Sequence, residues 1–393
     1  MTVPQSIVEM ARAGAESVYA YVERTAEVVP EGVRWQTLTL ENEPTYSAML
    51  VNGAAGISLF LSDYYRLTGA PRARELAGGA CHWAAVTGPE VEGDGLLTGW
   101  AGIGLAWLWL AHATGDRDAL AQAMRIADRL LAHAPGPWTT LYSGAAGEGS
   151  FLLRLAETTR DGRHLAGAVQ RGEWLAEAGV RDGPGLHWPY QTDDEPWQGL
   201  GVGPGVAGIG LFLVALYQAT RDERWAGLVR EAAQTLATEA KPDHGGLNWA
   251  QTIGEPELKR CQICDGSPGI GLFHARAYAA LSDPSFLETA RAAGEATYAY
   301  GDVRHNPCLC HGLTGNAGFL FDLYRLTGEP QWLERAHDLS QRAFAYRTVT
   351  PEGDVWQADE PGFTSPEFMF GAAGAGHVFL RLWQPNAVRL PLV

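Results

Sequence analysis

The chain has 393 residues, of which 46% are hydrophobic and 19% charged, with 48 glycines and a formal net charge of −16. Such a composition excludes a disordered chain. With Lys241 and Lys259 as the only lysines, it offers no basic stripe to release phosphate counterions, which excludes a nucleic-acid-binding surface.

The first element in chain order is a helix over about residues 4–27, followed by Gly32-Val-Arg-Trp35. Seven Gly-x-x-Gly pairs then recur along the chain, 45 to 61 residues apart: Gly53/Gly56, Gly99/Gly102, Gly144/Gly147, Gly205/Gly208, Gly266/Gly269, Gly312/Gly315 and Gly371/Gly374. Each pair opens an apolar stretch, such as Ile57-Ser-Leu-Phe-Leu, that has the length of about four helical turns. Fifteen residues beyond the first glycine the chain reaches Thr68, Thr114, Thr159, Thr220, Leu281 or Thr327, mostly within Thr-Gly or Thr-Arg-Asp turn sequences. An amphipathic stretch follows each turn, for example Asp118–Leu131. The unit is a helical hairpin, and repetition at this period is the mark of a solenoid or a closed array.

The seventh unit, about residues 371–385, lacks its second helix, and Ala11–Tyr21 resembles Ala290–Tyr300, the second helix of the fifth unit. The N-terminal helix therefore completes the seventh hairpin, and the expectation is an all-α fold. It is one α/α toroid or barrel over residues 1–393, apolar helices inside and amphipathic ones outside. Leu96–Gly115 and Pro196–Thr220 carry no charge, but their equivalents carry Asp63 and Asp322. They are read as buried inner helices, so no membrane span is expected.

The units start 46, 45, 61, 61, 46 and 59 residues apart. The longer spacings hold inserts with Gly185-Leu-His-Trp188, Gly246-Leu-Asn-Trp249 and Gly353-Asp-Val-Trp356. Because the inserts precede inner-helix N-termini, they are expected to line one mouth of the barrel, where a site should lie.

Two cysteines occupy one repeat position, two residues before the first glycine: Cys264 and Cys310, the latter followed by His311. Two thiolates and an imidazole at adjacent helix N-termini make a zinc site of three protein ligands with a fourth position open, the catalytic type. The alternative is a closed structural site of Cys261, Cys264, Cys308 and Cys310. Cys81 reads as an ordinary buried cysteine. Four of five cysteines clustered in a long chain, with no basic segment leading into an apolar core at the N-terminus, point to a reducing, cytoplasmic location.

Cys264-Asp-Gly-Ser-Pro-Gly-Ile and Cys310-His-Gly-Leu-Thr-Gly, set among seven Gly-x-x-Gly hairpins, resemble the lanthionine synthetase C-like family, the lanthipeptide cyclases, over essentially the whole chain. The resemblance implies one zinc ion on Cys264, Cys310 and His311. It also implies addition of a peptide cysteine thiolate to dehydroalanine or dehydrobutyrine, closing a thioether ring in a dehydrated precursor peptide. Separate dehydratase proteins of kinase or lyase type would supply that peptide.

The chain departs from the family pattern at the supposed acid and base positions. Pro204 stands where a histidine is usual, Thr140 where an aspartate is usual, Ile263 where a tryptophan precedes the cysteine, and Asp265 where an aromatic residue or histidine follows it. Candidate proton donors in their place are Asp265, His187 and Tyr142, with Tyr190 in a comparable position. The competing reading is a zinc-containing LanC-like protein with little or no cyclase activity, serving as a partner or scaffold in a maturation complex. A glycosidase on a similar barrel is disfavoured, because no carboxylate pair stands at the inner-helix ends. His274 and His377 read as core residues, and His305 lies in the loop before Cys308.

Overall fold

Each Gly-x-x-Gly starts a helix, the first glycine serving as the residue before it. In the computed structural model, which describes residues 3–90, 93–190, 196–301 and 306–392, the inner helices are α2 (Ala54–Thr68), α4 (Trp100–Thr114), α6 (Ala145–Thr159), α8 (Val206–Thr220), α10 (Ser267–Leu281), α12 (Leu313–Thr327) and α14 (Ala372–Trp383). The outer helices are α3 (Pro71–Thr87), α5 (Arg117–Leu131), α7 (Gly162–Ala178), α9 (Glu223–Glu239), α11 (Pro284–Tyr300), α13 (Pro330–Phe344) and α1 (Gln5–Arg24). Each inner helix packs on the inner helices to either side and on its own outer partner. α14 contacts both α2 and α1, so the expected α/α toroid is closed by its first helix.

The terminal helices are shorter than expected. α1 stops at Arg24 because β1 (Glu27–Val29) turns back onto β2 (Gly32–Arg34). α14 stops at Trp383 because Pro385 drives Gln384 out of helical geometry, to φ −128° and ψ 73°.

The glycines have steric work at two levels. At the second glycine of every motif a Cβ would land on the carbonyl oxygen of the residue six before it: Leu50, Leu96, Leu141, Val202, Ile263, Leu309 or Phe368. The chain thus folds tightly over its own helix start. Four inner helices carry a glycine two residues further along that receives a phenylalanine of the next helix: Gly104 with Phe151, Gly149 with Phe212, Gly210 with Phe273 and Gly271 with Phe319. Gly376 receives Phe60 in the same way, across the seam between the two ends of the chain. Removing a Cβ lets each ring seat against backbone, which supplies close-packed contact that a larger residue would force apart.

The hairpin turns are equally regular. Thr68, Thr114, Thr159, Thr220 and Thr327 end their helices, each bonding the carbonyl four residues back and accepting the N–H two residues on. Asp116, Asp161, Asp222 and Asp283 then cap the following outer helices.

The tenth residue past each first glycine faces the barrel interior at its far end, about 14 Å along the helices. These residues are Asp63, Trp109, Arg154, Ala215, Arg276, Asp322 and Arg381. No helix among the described residues is long and apolar enough to cross a membrane.

The inserts form small hairpins: β1–β2, an isolated bridge between Val180 and His187, β5 (Lys241–Asp243) with β6 (Gly246–Asn248), and β7 (Arg347–Thr350) with β8 (Gly353–Trp356). β3 (Thr37–Leu38) and β4 (Pro44–Thr45) make a fifth ribbon. The tryptophan of each Gly-x-x-Trp is buried. Trp35, Trp188 and Trp249 donate to the carbonyls of Val22, Leu175 and Leu236, each 13 residues back in the last turns of α1, α7 and α9. Trp356 instead donates to the Ser17 hydroxyl. The motif is a clamp that pins the insert to the outer layer, and the residues after the tryptophan are the ones carried toward the mouth.

Candidate metal centre

The turns that precede the inner helices are stitched to one another through their backbones. Leu97 N–H donates to Tyr142 O (3.0 Å), Val51 N–H to Leu97 O (2.9 Å), Met369 N–H to Val51 O (3.0 Å) and Cys310 N–H to Met369 O (2.8 Å). Ile263 N–H donates to Cys310 O (3.1 Å) and Val202 N–H to Cys264 O (2.9 Å). This belt fixes neighbouring turns in register and so sets Cys264 beside Cys310.

The sulfurs of Cys264 and Cys310 and a ring nitrogen of His311 lie within 4.8 Å of one another, close enough to hold a metal ion together. Cys310 is buried, and Cys264 and His311 are partly exposed. The His311 ring is oriented from behind: its Nδ1 is 2.7 Å from Asp359 Oδ2, and the ring packs 5.1 Å from that of Phe370. Asp359 is itself held by the Asn306 amide at 3.0 Å. A carboxylate on one ring nitrogen leaves the other for a metal and makes it more basic.

The electrostatics suit a cation. A hydrogen bond from Cys310 outweighs burial and, with the His311 charge, draws the Cys264 thiol well below its usual range. That same bond and burial drive Cys310 well above it, since two adjacent buried thiolates repel. Burial alone would lower His311, but Cys264 and Asp359 raise it to about 10. Soft sulfur and imidazole donors of this set fit zinc.

Cys261 and Cys308 stand outside the group. Burial pushes the Cys261 thiol up to about 12 beside the hydroxyls of Ser267 and Thr297. Cys308 Sγ lies 3.6 Å from Asp359 Oδ1 and accepts the His311 N–H at 3.4 Å. Among the described residues the group that could hold a metal is Cys264, Cys310 and His311, without Cys261 or Cys308.

Of the candidate proton donors, two are brought to the cluster and one is not. Tyr142 holds the position of the two cysteines in the third unit, and its hydroxyl is pushed up by burial and then by the charges of Cys310 and Cys264. Tyr190 packs against Trp138 with ring centroids 5.0 Å apart and planes tilted by 31°, and it adds to the upward push on Tyr142. Asp265 is buried, accepts from the Gln251 amide at 3.0 Å and faces Arg260 at 3.5 Å, with its other oxygen unpartnered. Burial first, then Cys264, raise its carboxyl to about 7. His187 is different. The clamp at Gly185 and Trp188 draws it onto the outer layer, where its Nδ1 lies 3.7 Å from Asp182 Oδ1 and its backbone pairs with Val180. His187 is therefore not part of the cluster.

Pro204 and Gly203 line the turn beside Cys264, a Cβ on Gly203 falling 3.7 Å from that of Cys264, so the fourth unit offers backbone where a side chain was expected. Thr140 is buried and accepts the Ser143 N–H. His274 is enclosed by Phe273, Phe286 and Trp249 and pushed down to about 3 by burial, while His377 meets Asp63 at 3.2 Å. Both belong to the core. Cys81 is buried, as expected, and His305 lies outside the described residues.

Asp359 is the residue that sequence reasoning missed. It stands three residues after Trp356, and Gln251, which holds Asp265, stands two after Trp249. Both lie close behind a clamp tryptophan, at offsets that differ by one residue.

The barrel of seven hairpins thus carries a two-thiol, one-imidazole cluster on the turns that precede two adjacent inner helices. The family model for lanthionine synthetase C-like protein matches residues 44–393, and the chain belongs to that family. It is similar to "Glutathione S-transferase LANCL1" of Danio rerio, with 24% identity over 352 residues, covering 75% of this chain and 83% of that one. Among solved structures it is similar to nisin cyclase, with a TM-score of 0.69, 16% identity and coverage of 97% and 96% of the two chains. A cellobiose 2-epimerase from Spirochaeta thermophila shares the barrel, with a TM-score of 0.53, 14% identity and coverage of 97% and 96%. At these identities the structural likenesses speak for the fold.

Proposed function

We propose that the protein is a stand-alone, zinc-dependent lanthipeptide cyclase working in the cytoplasm on a dehydrated precursor peptide made by separate dehydratase proteins. The observation that carries this reading is the cluster of Cys264, Cys310 and His311 on adjacent turns, with Asp359 behind the imidazole, in a chain of this family. Zinc bound there would lower the pKa of a substrate thiol, which free in water is about 8.5.

Cys264 and Cys310 would hold the ion as two thiolates, a donor set that would leave a substrate sulfur bound with them electron-rich and nucleophilic. Asp359 would keep His311 in the tautomer whose remaining nitrogen faces the ion. The substrate sulfur then forms a C–S bond to the β-carbon of the dehydroamino acid while the double-bond pair moves onto the α-carbon and its carbonyl. The thiol proton leaves before attack, and one proton returns to the α-carbon. We assign its supply to Asp265, with a carboxyl near neutral, or to Tyr142.

The runner-up reading rests on Pro204 and Thr140, which replace the family's expected histidine and aspartate. A chain that binds zinc but lacks a proton donor would serve as a partner in a maturation complex. The Danio rerio relative is named for another use of a thiol, transfer to glutathione, so glutathione belongs among the substrates tried.

The test is incubation with a dehydrated precursor peptide, then thiol alkylation and mass spectrometry, because ring closure leaves mass unchanged but removes free thiols. Loss of alkylatable cysteines with the wild type and not with Cys310→Ala is the expected result. Equal alkylation with both proteins would end the cyclase reading and leave the partner reading.

A further inference from the structure

Four residues before the first glycine, three of the turns carry a side chain that folds back over the turn itself. Thr140 accepts the Ser143 N–H at 3.1 Å, and Cys308 Sγ accepts the His311 N–H at 3.4 Å. Gln262, at the same position in the fifth unit, reaches a sulfur instead: the Cys264 thiol donates to its Oε1 at 3.9 Å. Gln262 is 2% exposed, and its Nε2 is buried with no hydrogen-bond partner among the described residues. The Gln262 backbone N–H donates to Asp265 O at 3.0 Å, which closes the turn and keeps the side chain beside Cys264.

This pairing is a poor one for a buried amide. A thiol is a weak donor, while the amide nitrogen carries two strong donors that burial has taken from water. The oxygen and nitrogen ends of an amide are nearly the same size, so a half-turn of the terminal group exchanges them in the same space. A metal held by Cys264, Cys310 and His311 removes the Cys264 proton. The sulfur then has nothing to donate, and the Oε1 lone pairs face an anion. After the half-turn, the unpartnered nitrogen has a charged acceptor. The equivalent residue beside Cys310 is Cys308, which is taken up by the His311 N–H and by Asp359.

We propose that Gln262 is a positioning residue of the metal centre, donating an N–H···S hydrogen bond from Nε2 to the Cys264 thiolate when zinc is bound. Hydrogen bonds to a ligating sulfur draw charge from it and tune the metal. The bond stabilises the thiolate on the ion and makes Cys264 a weaker nucleophile than Cys310. A substrate sulfur is then the better nucleophile toward an electron-poor alkene beside them. The inference rests on the zinc reading of the cluster and is tested without cyclisation.

The experiment compares the full chain with Gln262→Leu, which keeps the bulk and removes the amide, and with Gln262→Glu, which keeps an acceptor and removes the donor. Each protein is loaded with cobalt(II), and its sulfur-to-cobalt charge-transfer band is recorded. Loss of an N–H···S bond raises the sulfur lone pair in energy, so the band should move to longer wavelength in both variants. Zinc affinity, measured by competition with a chelator, should fall about tenfold in Gln262→Leu and further in Gln262→Glu. Alkylation of Cys264 in the zinc-loaded proteins, located by peptide mapping, should be faster in both. The band reads the sulfur itself, so it decides even where a variant's metal-free melting temperature falls, and Gln262→Glu decides alone if Gln262→Leu does not fold. Variants that keep the wild-type band and the wild-type zinc affinity overturn the proposal. A wild type that takes up no cobalt on sulfur overturns the zinc reading itself, and the proposal with it.

Discussion

The turns before α10 and α12 and those before α6 and α8 are built on one backbone plan and carry opposite chemistry. In all four, the second glycine lies over the carbonyl six residues back, and the residue two before the first glycine points toward its neighbours. In the fifth and sixth units that residue is a cysteine, in the third a tyrosine, in the fourth a glycine. The difference teaches that glycine register builds the frame while one variable position per turn decides reactivity. Thiols can be placed, moved or lost without disturbing the barrel.

The comparison can be sharpened first through the seventh turn. Glu367, four residues before its glycine, is raised to about 8 by burial, while its Oε2 accepts the Leu38 N–H. A carboxyl that holds its proton in the folded state contributes stability fully below its unfolded pKa. That contribution is lost as pH rises from about 4.5 toward 8, a drop of ~4 kcal/mol. Denaturant unfolding at pH 5 and pH 8.5 should show this slope in the wild type. In Glu367→Gln the slope should shrink, leaving the variant the more stable protein at pH 8.5.

Next in size is the frame itself. Gly315→Ala drives a Cβ onto Leu309 O and should cost about 3 kcal/mol in unfolding free energy. Gly203→Ala, whose nearest neighbour is 3.7 Å away, should stay within about 0.5 kcal/mol. Equal costs would break the division between frame and variable position.

Asp359→Asn removes the charge behind His311 and should weaken zinc affinity about 10–100-fold, measured by competition with a chelator, with little change in melting temperature of the metal-free protein. The smallest effect is expected at His187. His187→Gln should leave cyclisation and metal content as they are, since the outer-layer clamp holds that residue away from the cluster.

The fold was legible because its determinants recur at fixed offsets. Glycines at the helix starts and threonines at the helix ends repeat in register, so seven hairpins and the closing role of α1 could be counted from sequence. Cys264, Cys310 and His311 were legible for the same reason. Asp359 was not, because it reaches His311 from 48 residues away, through an insert whose length varies between units. His187 belongs to an insert whose buried tryptophan pins that stretch to the last turn of α7, a contact that the sequence does not show. The arginines of the far end share an offset as regular as that of the cysteines.

The most direct test of the metal centre is metal content after purification and mild chelation. The account predicts about one zinc per chain in the wild type and in Cys308→Ala, with loss from Cys264→Ala, Cys310→Ala and His311→Ala. Zinc retained by His311→Ala and lost from Cys308→Ala would contradict it.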